Sequence, residues 1–411
     1  MKRVVITGLG PVTSIGIGKE MFWDSLLAGR SGISNITAFD PKEYKTKIAG
    51  EIKNFDFKTY FNQFKNNTDR FTQFGLVASQ LAIKDSGLNI EAVDTNRMGV
   101  YMGSGIGGML FYEKQVAILY EEGPNKVHPS AVAKITPNAL SGNIAITWKI
   151  KGPNITICTA CSSSCHSIGL GFQDVRSGKI NYAIVGGAEA SILPVNFASF
   201  DNMRVLSRNN SNPQKASRPF DKNRDGFIMG EGGAALIIEE LQYALKRKAE
   251  IYAEIVGYGS SSGAYHMVIP LMNGEDAKAA MFNAIEDARI NIDNIVYIHA
   301  HGTSTIANDV SETNAIKSLF KNNAYKISVT SNKSMLGHLI GASGAVSVLT
   351  TALSIKNGIV TPTINYETKD LQCDLDYTPN VPKKRKLDVG LINSFGFGSN
   401  NACVVLKKFV K

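Results

Sequence analysis

Charge is scarce in this chain. Of its 411 residues only 19% are Asp, Glu, Lys or Arg while 44% are apolar, a composition that fills a packed core and excludes extended disorder. Cysteine is rare as well: five residues, an odd number, exclude a fully paired secreted scaffold and fit a reducing, cytoplasmic setting. No apolar run approaches the ~18 residues of a membrane span, and the first one is broken by Gly8, Gly10 and Pro11 too early for a secretion signal. Low-complexity linkers are missing, so no flexible junction divides the chain. What charge there is leans one way, 44 Lys+Arg against 35 Asp+Glu for a net +9, which favours an acidic partner: nucleic acid, a phosphorylated ligand or an acidic carrier protein. At about 150 residues per domain the length predicts two or three core-forming units.

Short β-branched runs, such as Arg3 to Thr7, Met98 to Met102, Tyr182 to Val185 and Val296 to His299, alternate with longer amphipathic stretches. The latter include Phe71 to Ser86, Ala277 to Ala288 and Ala345 to Lys356, with glycine closing the first at Gly87 and the last at Gly358. This alternation predicts an α/β fold with helices covering sheets. One internal echo stands out. The segment Cys161 to Gly169 can be laid on Lys333 to Gly341, 172 positions downstream, with Ser, His, Ile and Gly in register. Both follow a β-like run and both are expected to open a small-residue helix, so a duplicated strand–turn–helix would bring two helix N-termini toward a common centre.

Thr156 to His166 holds three of the five cysteines. Cys161 is expected where a strand gives way to a helix, a place where the helix dipole and free N–H groups stabilise a thiolate and lower its pKa. For Cys158 and Cys165 the reading is a small buried hydrophobe. The string Cys-x2-Cys-x3-Cys-His also admits a zinc or iron–sulfur protein, the alternative from a different class, but it lacks the paired knuckles of most such sites. His299-Ala300-His301-Gly302-Thr303-Ser304-Thr305 follows an apolar strand, at the sheet end where α/β proteins bind ligands. Taken alone, its histidines would serve equally well as structural groups. Ser331-Asn332-Lys333 and His338 lead into a segment, Leu339 to Leu349, that reads as a buried helix, and a buried Lys333 needs a partner or a task. Ser394-Phe395-Gly396-Phe397-Gly398 is a glycine-rich turn whose backbone N–H groups can approach a ligand. A thiolate to accept an acyl group, two imidazoles to hold an enolate oxygen and an N–H cradle make a coherent set, and the lack of an Asp orienter disfavours ordinary hydrolysis.

At these segments the chain resembles the β-ketoacyl-[acyl-carrier-protein] synthases, the condensing type II class of the thiolase-like fold. The motifs run in the family's order from Val5-Ile6-Thr7-Gly8 through Thr159-Ala160-Cys161-Ser162, Arg218-Pro219-Phe220-Asp221 with Arg224-Asp225-Gly226, His301-Gly302-Thr303 and Asn332-Lys333-Ser334 to the final Gly-Phe-Gly turn. The resemblance implies a duplicated α-β-α-β-α layering with two central mixed sheets, divided as 1–250 and 251–411. It implies that Cys161 takes the growing acyl chain, with the N–H groups of Cys161 and Phe397 as oxyanion hole. His301 and His338 would assist decarboxylation of malonyl-carrier, and Lys333, paired with Glu312, would orient and tune His338. Thr303 and Thr305 would hydrogen-bond the phosphopantetheine arm, Phe397 would gate the acyl pocket beside Phe395, and Ile106 would line its far end. The product is a 3-oxoacyl-carrier of fatty acid elongation; a ketosynthase of a specialised polyketide or polyene pathway is the alternative with the same mechanism. The implied partners are an acyl carrier protein and a second copy of the chain, or a chain-length partner in its place, with neither nucleic acid nor membrane. No cofactor or metal of its own is implied, since phosphopantetheine arrives on the carrier.

Several positions depart from the family pattern: Ile306-Ala307-Asn308-Asp309 replaces Pro-x-Gly-Asp, Gly398-Ser399-Asn400-Asn401 replaces Gly-Gly-Thr-Asn, and Gly263 and Cys158 each replace an Asp. Asn66 and Asn67 stand where basic carrier contacts are expected, leaving Lys65, Arg70 and Arg204 as candidates. Gly103 to Gly108 matches the dinucleotide pattern G-x-G-x-x-G but lacks an acidic strand end about 20 residues on. The basic run Pro382 to Lys386 reads as a solvated loop.

Overall fold

The computed structural model of the chain describes residues 1–62 and 68–410. Ten strands carry the architecture: β1 (Val4–Thr13), β2 (Met98–Gly103), β3 (Asn154–Ile157), β4 (Tyr182–Glu189), β5 (Gly232–Glu240), β6 (Ala253–Ser262), β7 (Tyr297–His299), β8 (Ser328–Thr330), β9 (Val389–Gly396) and β10 (Asn400–Lys407). They bond in the order β8-β7-β9-β10-β6-β1-β5-β4-β2-β3. The two halves of this order repeat one another. In the first, β3–β2 and β2–β4 are parallel and β4–β5 and β5–β1 antiparallel. In the second, β8–β7 and β7–β9 are parallel and β9–β10 and β10–β6 antiparallel. The two expected mixed sheets are therefore present, and they run on into one another because Val4, Val5 and Ile6 pair with Ile255, Glu254 and Ala253.

Two helices, Ser163–Arg176 and Ser343–Asn357, lie between the halves and share one apolar core with both. The second is buried on all faces from Ser343 to Ile355: its side chains there are small, aliphatic or hydroxyl, none is charged, and Thr350 and Thr351 return their hydroxyls to the helix's own carbonyls. Their contact is backbone-close. A Cβ on Gly344 would fall 2.8 Å from the Cys165 nitrogen, and Ala345 N–H donates to Ser164 Oγ at 2.9 Å. Helices Arg70–Ser86 and Ala139–Trp148 cover the outer face of one half, Glu275–Ala288 and Ile306–Phe320 that of the other, which completes five layers. Gly87 and Gly358 end their helices at φ 62° and 65°, the left-handed conformation expected of glycine there.

Cys161 and Lys333 follow the equivalent strands β3 and β8, as the echo predicts, and the helix N-termini do converge. Beyond that point the halves differ. Lys333–Leu336 is a single turn stopped at Gly337 (φ 73°), a 3-10 turn follows at Ile340–Ala342, and the long helix begins at Ser343, four residues later than the sequence suggested. That irregular stretch puts His338 in a loop at the sheet end. Its counterpart His166 stays inside a helix, its Nδ1 2.6 Å from Tyr258 Oη. Among the described residues no helix is long and apolar enough to cross a membrane.

Candidate active site

Cys161 sits two residues before the Ser163–Arg176 helix, on a turn held by its neighbours' hydroxyls. Ser163 Oγ donates to Ala160 O at 2.6 Å and accepts from Thr159 N–H at 2.9 Å, while Ser394 Oγ donates to the Cys161 carbonyl at 2.9 Å. Ala160 is forced to φ 50°, a strained value for a residue with a Cβ. The turn aims the sulfur into a cavity of about 230 Å³. The backbone N–H groups of Phe397 and of Cys161 itself lie against that sulfur.

His301 follows β7 and is fixed from behind. Glu312, buried on the helix Ile306–Phe320, accepts from the N–H groups of His301 and Gly302, both at 2.8 Å, and from Asn393 Nδ2 at 2.9 Å. Lys333 Nζ donates to the His301 carbonyl at 2.5 Å. Gly302 and Ser304 turn the chain at positive φ, so that Thr303 and Thr305 enter the cavity wall with their hydroxyls 2.9 Å apart. Asp309 then ties this loop down, accepting from Thr303 N–H at 3.1 Å and Phe220 N–H at 2.7 Å beside the buried Arg224.

His338 reaches the same cavity from the loop before Ser343. Its ring lies 5.3 Å from that of His301 and 5.4 Å from Phe227, both edge-on, and its Nδ1 is 2.9 Å from Ser343 Oγ. Phe395 approaches His301 at 5.7 Å and Phe397 approaches Phe200 at 6.3 Å, so aromatic rings form much of the wall. Burial and then the Lys333 charge hold both imidazoles well below their usual pKa of 6.5, so both are neutral at physiological pH. Lys333 itself is lowered by burial to about 8, less than burial alone would bring because Glu312 lies near.

Five expectations need correcting, the simplest being Cys158, which is exposed and not the buried hydrophobe expected. Cys161 is not a low-pKa thiolate: complete burial pushes its thiol up to about 12, against the opposing pull of Lys333 and the two N–H groups. Lys333 does not pair directly with Glu312, whose oxygens are spent on backbone and Asn393 donors; it bonds the His301 carbonyl instead. Ile106 is not in the cavity lining: Glu189 ties its turn to the segment beside the lining residue Ile340, accepting from Ser104 Oγ (2.9 Å) and the N–H groups of Gly105 (2.6 Å), Ile106 (3.3 Å) and Gly341 (3.0 Å). Arg70 is turned into the fold by Glu231 at 2.6 Å and stacks on Phe74.

Arg204 is exposed beside Val205 of the cavity lining, whereas Lys65, Asn66 and Asn67 lie outside the described residues. The glycines of Gly103 to Gly108 pack against protein, with Ser164 N 2.3 Å from a Cβ on Gly103, the Ile340 side chain 2.9 Å from one on Gly105 and Lys134 O 2.3 Å from one on Gly108, which leaves no cradle for a pyrophosphate. Cys158 is exposed, Cys161 faces the cavity and Cys165 is in the central core, and no three metal-binding side chains cluster among the described residues. Sequence reasoning overlooked Ser343, Asn393 and Glu189. Only Glu189 left a signal: a carboxylate ending the wholly buried strand β4 must find donors.

The profile described as "Beta-ketoacyl synthase, N-terminal domain" matches residues 1–244, and "Beta-ketoacyl synthase, C-terminal domain" matches 252–367. The chain belongs to the β-ketoacyl synthase family. This synthase is 44% identical to 3-oxoacyl-[acyl-carrier-protein] synthase 2 of Synechocystis over 99% of its own length and 98% of the relative's. It is 43% identical to the protein of the same name from Coxiella burnetii, with 99% of both covered. Among solved structures it is similar to the ishigamide ketosynthase/chain length factor (TM-score 0.93, 32% identity, both chains fully covered) and to the ketosynthase AntDE, seen with its acyl carrier protein AntF and a hexaketide (0.93, 30%, both fully covered). The synthase is an acyltransferase of the condensing type, on a thiolase-like fold.

Proposed function

We propose that the chain extends acyl groups in fatty acid elongation by decarboxylating condensation with malonyl-acyl carrier protein. The supporting observation is that two neutral imidazoles and one buried sulfur, with two backbone N–H donors against it, line a single cavity. Because burial keeps the thiol protonated, acylation moves its proton in the same event: the Cys161 sulfur bonds the acyl carbon, the carrier thioester bond breaks, and the thiol proton ends on the departing pantetheine sulfur. The malonyl group then loses CO₂, and its electron pair passes to the thioester oxygen, held by N–H groups of His301 and His338. The resulting carbon attacks the acyl-cysteine, whose oxygen is held by the N–H groups of Cys161 and Phe397, and the sulfur leaves as a thiolate that takes one proton from water, the proton that loss of CO₂ from the malonyl carboxylate makes the overall reaction consume. Lys333 serves by keeping both rings neutral. Thr303 and Thr305 bond the pantetheine arm between the Phe395 and Phe397 walls.

The carrier fits the rim. Tyr265 (60% exposed), Met267 (71%) and Ile306 (63%) offer an apolar surface with Arg204 nearby, suited to an acidic protein with apolar contacts. Phosphopantetheine arrives with that carrier, and no cofactor of the chain's own enters the scheme. A homodimer in the cytoplasm completes the proposal: β3 is an open sheet edge with Ile155 exposed, and Ile146 (72%) and Val132 (74%) stand nearby in sequence. Incubation with an acyl-carrier and malonyl-carrier tests the reading. A 3-oxoacyl-carrier two carbons longer, with one CO₂ released, is expected; release of free acid alone, or an unchanged carrier, would overturn it.

A further inference from the structure

Resting on that reading, a neutral imidazole can help an enolate only if its single proton is on the nitrogen facing the substrate. In His338, Nδ1 points away from the cavity to Ser343 Oγ at 2.9 Å, which leaves Nε2 for the substrate. The direction of this bond decides the tautomer. Ser343 is 4% exposed, and among the described residues His338 is the one hydrogen-bond partner, side chain or backbone, of its hydroxyl. Were Nδ1 the donor, the hydroxyl proton would be buried with no acceptor, a cost that the reverse arrangement avoids. The hydroxyl therefore donates, Nδ1 accepts, and the ring proton resides on Nε2. His301 has no such device: its Nδ1 is buried without a partner, and its place is set through its backbone instead.

We propose that Ser343 is a positioning residue that fixes His338 in the Nε2–H tautomer and so makes it a hydrogen-bond donor to the malonyl thioester oxygen. Serine suits the position. It is the first residue of the Ser343–Asn357 helix, where a short hydroxyl side chain reaches back over the 3-10 turn to the ring five residues earlier.

The test has two arms. In the first, ¹⁵N spectra of histidine-labelled protein, assigned with His338→Asn, report the tautomer without reference to activity. The parent and Ser343→Thr should show His338 with a protonated Nε2, and Ser343→Ala a mixture. A single unchanged tautomer in Ser343→Ala would overturn the proposal while leaving the condensing reading intact. In the second, malonyl-carrier decarboxylation and acylation of Cys161 are timed separately. Ser343→Ala should lower decarboxylation about five- to tenfold, as loss of one buried hydrogen bond allows, with acylation within about twofold of the parent and Ser343→Thr restoring most of the rate. An equal fall of both steps, or none in decarboxylation, would also overturn it; if the parent catalyses neither step, the functional reading fails instead.

Discussion

A buried sulfur with a raised pKa and two rings with depressed ones make the site a set of neutral groups, and its behaviour follows from that. Removing the nucleophile removes the acyl acceptor but leaves the rings. Cys161→Ala is predicted to lose condensation by at least about 10³-fold while still releasing CO₂ from malonyl-carrier, which radiolabelled malonate would show. Lys333→Met takes away the positive neighbour that disfavours imidazolium, so the His301 and His338 pKa values rise toward 6.5. The acid limb of the decarboxylation rate should then move to higher pH, whereas the parent keeps its rate well below pH ~6.5; coincident profiles would contradict this role. Cys161 and His301 were legible in the sequence because each ends a strand and precedes small or hydroxyl residues. The thiol's protonation was not, since the helix terminus argues for ionisation and only the packed surroundings reveal how completely water is excluded. Ser343 and Asn393 were equally hidden, their partners being fixed by folding alone.

Among the elements, the two central helices bring together the turn that carries the sulfur and the loop that carries His338. Their close contact depends on Gly344, whose missing side chain admits the Cys165 backbone. Gly344→Val would force the helices apart, and a loss of about 1–3 kcal/mol in unfolding free energy is expected, read by denaturant titration, together with weaker condensation. Full activity at parental stability would mean that the helix spacing is not critical. Periodicity found the second of these helices and the outer helix Arg70–Ser86, with glycine stops at Gly358 and Gly87, whereas the Ser163–Arg176 helix was legible only through the echo. Periodicity failed between Lys333 and Ser343, where Gly337 and the strained Ile340 (φ 44°) break the helix so that His338 can turn inward. A run of small residues carries no mark of that break.

For the whole molecule, the duplication was readable from one echo of nine residues and the five-layer order from the family resemblance, whereas the β1–β6 seam that makes the sheets continuous depends on a pairing across 247 or more positions. The charge excess of +9 was read as a sign of an acidic partner, and Arg204 is exposed next to Val205 of the cavity lining, where the proposed carrier would dock. Arg204→Glu should raise the KM for acyl-carrier about three- to tenfold with kcat little changed, and added salt should narrow the gap between variant and parent. Equal KM values at low salt would remove Arg204 from the docking surface.

Covalent capture of the acyl group remains the most direct measurement. After mixing with an acyl-carrier and no malonyl donor, the intact mass of the 44.4 kDa chain should rise by one acyl group, and peptide mapping should place it on Cys161. An unchanged mass, or an acyl group carried on any other residue, would contradict the account.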